Sequence, residues 1–266
     1  MEQPDPNVSR ILPPQVDVID TRGSASPATM ESTSLVSTHG LGAGYGRKQV
    51  VFGIDFHVDR GEIVSIVGSN GAGKTTTMKT IFGMLPAING KIVYKGEDVS
   101  HSNPRRNVQN GMSFIPAERF VFGDLSVAEN LLLGALHERS PDLIAQRRER
   151  VQSFFPILKE RAAQRAGTMS GGQQRMLSLG IAIMAAPSLL LLDEPSLGLA
   201  PAVVIDIFKA IRKLADDEGL AVVLLEQNIG QALRITDRFY AMRSGRIILE
   251  ETAAQMRQRS DYWDLF

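Results

Sequence analysis

Cysteine is absent from the 266 residues. That excludes disulfides, thiol catalysis and Cys-based zinc sites, and it suits a reducing compartment. Histidine is scarce: His39, His57, His101 and His137 lie far apart, without metal-ligand spacing. Net charge is absent too, with 29 Lys+Arg against 29 Asp+Glu. A generic polyanion binder needs a basic surface, so no nucleic-acid partner is expected. Long hydrophobic runs are missing. The most apolar stretch, Ile181 to Leu192, is broken by Pro187 and Ser188 and falls short of the ~20 residues a spanning helix needs. The N-terminus lacks a basic-then-apolar signal pattern, so the chain is expected in the cytoplasm. There is no internal repeat, and no heptad run of the kind a long coiled coil requires. What remains is 43% hydrophobic and 22% charged, the balance of an ordinary globular protein with ample core.

Residues 1–34 hold five of the 13 prolines, many Ser and Thr, and few large apolar side chains. Such a segment buries too little surface to offset its chain entropy, and a disordered tail is expected. Residues 35–266 carry a different pattern. Ile63–Val67, Leu189–Leu192 and Ala221–Leu225 are short continuous apolar runs, which suit strands covered on both faces. Lys74–Met84 and Pro201–Ala215 read as helices beside them. Alternation of strand and helix predicts an α/β fold with a parallel core. Between them, Ser126-Val127-Ala128-Glu129 has capping-box spacing, and Pro141–Phe155 reads as a charged helix. About 125–170 is therefore expected to be a helical subdomain inserted in the core.

Three motifs carry chemistry. Gly68-Ser69-Asn70-Gly71-Ala72-Gly73-Lys74-Thr75 fits the phosphate-binding loop in full, with a strand before it and a helix after it. Its glycines let the backbone wrap phosphates, and the helix that follows presents its positive end. Lys74 would reach the β- and γ-phosphates, and Thr75 would ligate Mg²⁺, with Thr76 next in the helix. Leu189–Leu192 then delivers Asp193, a second Mg²⁺ ligand, and Glu194, which can polarise the attacking water. Met169-Ser170-Gly171-Gly172-Gln173-Gln174-Arg175 precedes an apolar helical run, Met176–Ala186. Taken alone it is a loop with a Ser cap.

This series of motifs, in this order and spacing, resembles the nucleotide-binding subunits of ATP-binding cassette (ABC) transporters over about residues 35–250. The resemblance implies a P-loop NTPase core with an added antiparallel β portion. It implies that Tyr45 stacks on adenine, and that Ser170, Gly171, Gly172 and Gln173 close over the ATP of a second subunit in a homo- or heterodimer. Pro195–Pro201 and Glu226-Gln227-Asn228 look like one subgroup, the ATPases of importers for branched-chain amino acids and related amides. In that subgroup Gln227 stands where most cassettes have His. The amide can hydrogen-bond a γ-phosphate but cannot titrate near neutral pH. The same resemblance implies ATP and Mg²⁺ as cofactors, integral-membrane permease subunits and an extracytoplasmic solute-binding protein as partners, and a peripheral place on the inner face of the cell membrane.

The chain departs from the pattern at one loop. Where most of the family has Gln, and this subgroup often Glu, the residue is Ala117, with Glu118 beside it. Either the loop is shifted by one residue or the usual side chain is missing. Alternatives to the importer are an ATPase for lipid or polysaccharide export, a non-transport cassette, and a module that holds ATP without turnover. Intact Lys74, Asp193 and Glu194 argue against the last, and the Gln227 triplet against export.

Overall fold

The computed structural model describes residues 34–259 apart from Arg119; the expected tail lies outside the described residues but for Ser34. In chain order the strands are β1 (Ser34–Tyr45), β2 (Lys48–Asp59), β3 (Ile63–Val67), β4 (Ala87–Tyr94), β5 (Glu97–Asp98), β6 (Met112–Ile115), β7 (Leu189–Asp193), β8 (Ala221–Glu226), β9 (Arg238–Arg243) and β10 (Arg246–Thr252). The helices are α1 (Lys74–Ile81), α2 (Pro104–Gln109), α3 (Val127–Gly134), α4 (Pro141–Phe154), α5 (Pro156–Glu160), α6 (Gly171–Met184), α7 (Pro201–Glu218), α8 (Ile229–Ala232) and α9 (Ala253–Gln258).

Two sheets form, in the orders β2-β1-β4-β5 and β10-β9-β3-β8-β7-β6. The first is antiparallel. The second is parallel from β9 to β6, with β10 antiparallel at its edge. Strand alternation explains the continuous apolar runs. Ile63, Val67, Leu190, Leu192, Val222 and Leu224 face one core, packed with α3 to α7. Val64, Ile66, Leu189, Leu191, Val223 and Leu225 face the other, shared with α1 and the antiparallel sheet. With both faces covered, no polar phase appears in the sequence. The α/β architecture is the one expected, and it brings the C-terminal ends of β3, β7 and β8 to one edge. Val67 pairs with Glu226, and Asp193 with Leu225.

Local chemistry fixes the helices. Ser126 caps α3 in a reciprocal box: its N–H donates to Glu129 Oε2 at 2.7 Å, and its Oγ accepts from the Glu129 N–H at 3.2 Å. Helix α6 begins earlier than its apolar run suggests. Ser170 and Gln173 form the same box, which carries the helix back through Gly171 and Gly172 despite their poor propensity. Helix α7 runs past Ala215 to Glu218, where Gly219 closes it at φ +67°. Asp216, Asp217 and Glu218 extend it on its exposed side.

Helices α3 and α6 cross at Gly134. A Cβ there would lie 2.1 Å from the Ile181 carbonyl oxygen and 2.8 Å from Met184 Cβ. Gly134→Ala must therefore part the helices, at a cost of about 1–3 kcal/mol, although alanine is the better helix former. The urea midpoint of the variant is expected to fall; an unchanged or higher midpoint would contradict the close crossing.

Candidate ATP-binding site

The phosphate loop leaves β3 as a backbone ring. Gly71 (φ +82°) and Gly73 (φ +106°) take conformations open to glycine. At Gly68 the constraint is space, since a Cβ would stand 2.2 Å from the Met242 carbonyl oxygen. The β9–β10 turn also braces the loop from behind, because the Gly245 N–H donates to the Ala72 carbonyl at 2.8 Å. Nothing in the local sequence pattern signals this brace; Met242 is remote from the loop in the chain.

Lys74 is 5% exposed. Its Nζ donates to the carbonyls of Gly68 at 2.7 Å and Ser69 at 3.1 Å, which folds it over the loop. Burial pushes its pKa down, against the pull of Glu194, Asp193 and Glu226. A desolvated ammonium in this position has much to gain from an anion.

Thr75 Oγ1 donates to Asp193 Oδ2 at 3.0 Å. Burial raises the Asp193 pKa, with the Thr75 hydrogen bond opposing it and the neighbouring Glu194 charge adding to it. Two hard oxygen donors, a hydroxyl and a buried carboxylate, fit a Mg²⁺ ion, whose charge would favour the ionised carboxylate that burial disfavours. Among the described residues no group of three or more His, Cys, Asp or Glu could hold a metal alone. The remaining ligands must come from nucleotide and water, the usual habit of Mg²⁺.

Glu194 follows directly, at φ +45°. For a non-glycine residue that conformation costs on the order of 1–2 kcal/mol and persists only where its surroundings impose it. The Glu194 N–H donates to the Leu225 carbonyl at 3.0 Å. Gln227 Nε2 donates both to Glu194 Oε1 at 2.5 Å and to Asn70 Oδ1 at 2.7 Å. One amide thus joins the phosphate loop to the acidic strand end. Glu226, buried at 3% exposure, accepts the Ser196 N–H at 3.1 Å and holds the turn after β7. In the sequence it is the acid that ends an apolar strand and opens the Glu226-Gln227-Asn228 triplet.

Tyr45 ends β1 half-exposed, its hydroxyl 3.5 Å from Thr76 Oγ1, so it borders the loop. Gly172 packs against α7, where a Cβ would meet Val203 at 3.0 Å. The Ser170 and Gln173 side chains each accept the other's main-chain N–H; among the described residues no hydrogen bond joins Ser170–Gln173 to Gly68–Thr76. Ala117 and the exposed Glu118 line a cavity of about 520 Å³ together with Thr75, Lys79, Asp193 and Glu194. The loop that departs from the family pattern therefore opens onto the acidic side of the site.

Comparison with known proteins agrees with this geometry. Residues 51–197 match the ABC transporter family. The chain is 43% identical over 227 residues to the high-affinity branched-chain amino acid transport ATP-binding protein BraG of Pseudomonas aeruginosa, covering 85% of this chain and 94% of that one. It is 34% identical to the lipopolysaccharide export system ATP-binding protein LptB of Haemophilus influenzae, over 84% of this chain and 92% of that one. A solved ATP-binding cassette of an ABC transporter in its ADP conformation superposes with a TM-score of 0.77 at 24% identity, over 88% of this chain and 98% of that one. A phosphate loop, an acidic strand end and a capped Ser-Gly-Gly-Gln helix, set in this sheet order and shared over most of its length with such relatives, place the chain in the ABC transporter family, among its ATP-hydrolysing cassettes.

Proposed function

We propose that this chain energises a membrane importer for branched-chain or related amino acids or amides, from the cytoplasmic face of permease subunits it does not contain. The observation that carries the ATPase reading is the junction of Lys74, Thr75, Asp193, Glu194 and Gln227 at adjoining strand ends. Import of this substrate class is supported by the nine-point lead of BraG over LptB in identity, 43% against 34%, and by Gln227.

The roles follow from position. Residues Gly68 to Thr76 hold the phosphates, Lys74 neutralises their charge, and Tyr45 stacks on the base. Thr75 and Asp193 hold Mg²⁺, which spreads phosphate charge when bound. Glu194 orients the attacking water and takes its proton. Gln227 has both amide hydrogens engaged, so a γ-phosphate that bonds it must displace Asn70 or Glu194. Ser170, Gly171, Gly172 and Gln173 would meet the nucleotide of a second subunit, so that two chains trap two ATP molecules. Helices between about 125 and 170 form the inserted part. A groove of about 600 Å³, lined by Phe114, Phe120, Leu136 and Ile181, is where a permease segment would seat; Leu136 is 71% exposed and Phe120 55%, large apolar surfaces that favour a partner. No described helix is long and apolar enough to cross a membrane.

The test is a mild-detergent pull-down of the tagged chain from native membranes, followed by reconstitution with its partners. Two integral-membrane subunits, a second ATPase and ATP-dependent uptake of leucine or a related amide with a solute-binding protein are expected. Recovery with lipid- or polysaccharide-export components would overturn the substrate class. Recovery from the soluble fraction alone would overturn the transport role.

A further inference from the structure

Arg175 lies in the first turns of α6 and is 5% exposed. A guanidinium buried this far normally finds a carboxylate. Here its bonds go to main chain. Nη1 donates to the Pro116 carbonyl at 2.6 Å, and Nη2 to the Asp193 carbonyl at 2.9 Å. Burial works against its charge while Asp193 and Glu226 favour it at longer range. The two carbonyls leave adjacent strands, since Ile115 and Leu192 are partners in the β6–β7 ladder. Nearby, Ser178 Oγ sits 2.8 Å from the Phe120 carbonyl, sharing its proton with the Gln174 carbonyl at 3.0 Å. One face of α6 is therefore bonded both to the end of β7 and to the loop at 116–120.

The Asp193 carbonyl belongs to the same peptide unit as the Glu194 N–H. That unit is bonded at both ends, by Arg175 on its oxygen and by the Leu225 carbonyl on its nitrogen. Its plane sets the direction from which Glu194 must leave, and Glu194 leaves at φ +45°. A residue in that region stays there only if its neighbours hold it; these two bonds hold the peptide unit before it, and the Leu197 N–H donates to the Glu194 carbonyl at 3.1 Å on the other side.

We propose that Arg175 is a positioning residue for hydrolysis: it clamps the Asp193–Glu194 peptide so that the Glu194 carboxylate points at the attacking water, and it ties that aim to the start of α6 and to the loop at 116–120. The proposal rests on the ATPase reading. It differs from a nucleotide-binding role, because Arg175 reaches neither the phosphate loop nor Lys74 by any hydrogen bond among the described residues. Movement of α6, whose capped end carries Ser170, is transmitted through one guanidinium to the hydrolytic carboxylate.

The test uses the full chain with Arg175→Met, which keeps length and burial, and Arg175→Lys, whose ammonium keeps the charge without the two-pronged fork. Steady-state ATP hydrolysis and ATP binding by calorimetry are measured on both. For Met, kcat should fall roughly 10- to 100-fold, the scale of a misaimed catalytic group, while KM and the ATP dissociation constant stay within about twofold of wild type. Lys should recover part of kcat. Hydrogen exchange, read independently of activity, should quicken in the peptide spanning residues 189–197 and stay unchanged over β10 and α9. Wild-type kcat in a folded Met variant, or equal loss of kcat and ATP affinity, would overturn the proposal. If Arg175→Met fails to fold, the Lys variant decides: intermediate kcat with unchanged KM supports the clamp, and wild-type kcat refutes it. A wild-type chain that does not hydrolyse ATP would count against the ATPase reading, leaving the exchange result to decide the clamp.

Discussion

Lys74→Ala is expected to weaken ATP binding by about 10²- to 10³-fold, the equivalent of ~3–4 kcal/mol for loss of a buried, charge-assisted contact. The size follows from the site as it stands before nucleotide arrives. The Lys74 amine is already desolvated and already directed along the loop by the Gly68 and Ser69 carbonyls, so little ordering is left to be done on binding. Asp193, Glu194 and Glu226 each favour its charge. Without the ammonium those carboxylates would face an incoming polyphosphate uncompensated. Calorimetric titration with a non-hydrolysable ATP analogue reads the effect. Affinity within threefold of wild type would remove the phosphate-loop assignment.

Glu194→Gln is expected to act on the other half of the cycle. The amide is nearly the same size as the carboxylate, and its carbonyl oxygen can still accept from Gln227 Nε2 where Glu194 Oε1 does now. Binding geometry should survive. The ability to take a proton from water does not, and turnover should drop by about 10²- to 10⁴-fold, the range for loss of a general base. Affinity for ATP should hold or rise, since one negative charge next to the phosphates is gone. If two chains trap nucleotide between them, an ATP-bound pair should accumulate on size-exclusion chromatography in this variant alone. Hydrolysis at the wild-type rate would move the base elsewhere, with Glu118, which lines the same cavity, the next residue to replace.

Much of the fold was legible because its signals are local. The runs at β3, β7 and β8 read as buried strands since each residue faces one of two cores, and the Ser126–Glu129 box announced α3 four residues at a time. The phosphate loop was legible for the same reason: glycine, lysine and threonine are demanded by adjacent atoms. Features built by distant contact were not. Nothing near Gly134 tells that Ile181 will lie against it. The start of α6 hid behind two glycines whose low propensity is outweighed by the Ser170 cap. Arg175 is visible as an arginine beside a helix start, a place where a solvated side chain is the ordinary outcome; only the register of β6 against β7 brings two carbonyls within its reach. Ala117 could be marked as a departure from the pattern, yet the cavity beside it belongs to three segments of chain.

The brace behind the phosphate loop bears on how the chain is made. Central strand β3 is flanked by β8 and β9, and Thr77 meets Met242 across 165 positions of sequence. A ribosome delivers the loop long before it delivers either neighbour or the turn that seats it. Until residues 238–246 have emerged, β3 has no partner on that side, and the Gly68–Thr75 ring has no floor. Non-local closure of this kind is slow and leaves apolar edges open meanwhile. A nascent or truncated chain should therefore be unable to load nucleotide, which keeps incomplete subunits from engaging a permease as though they were charged.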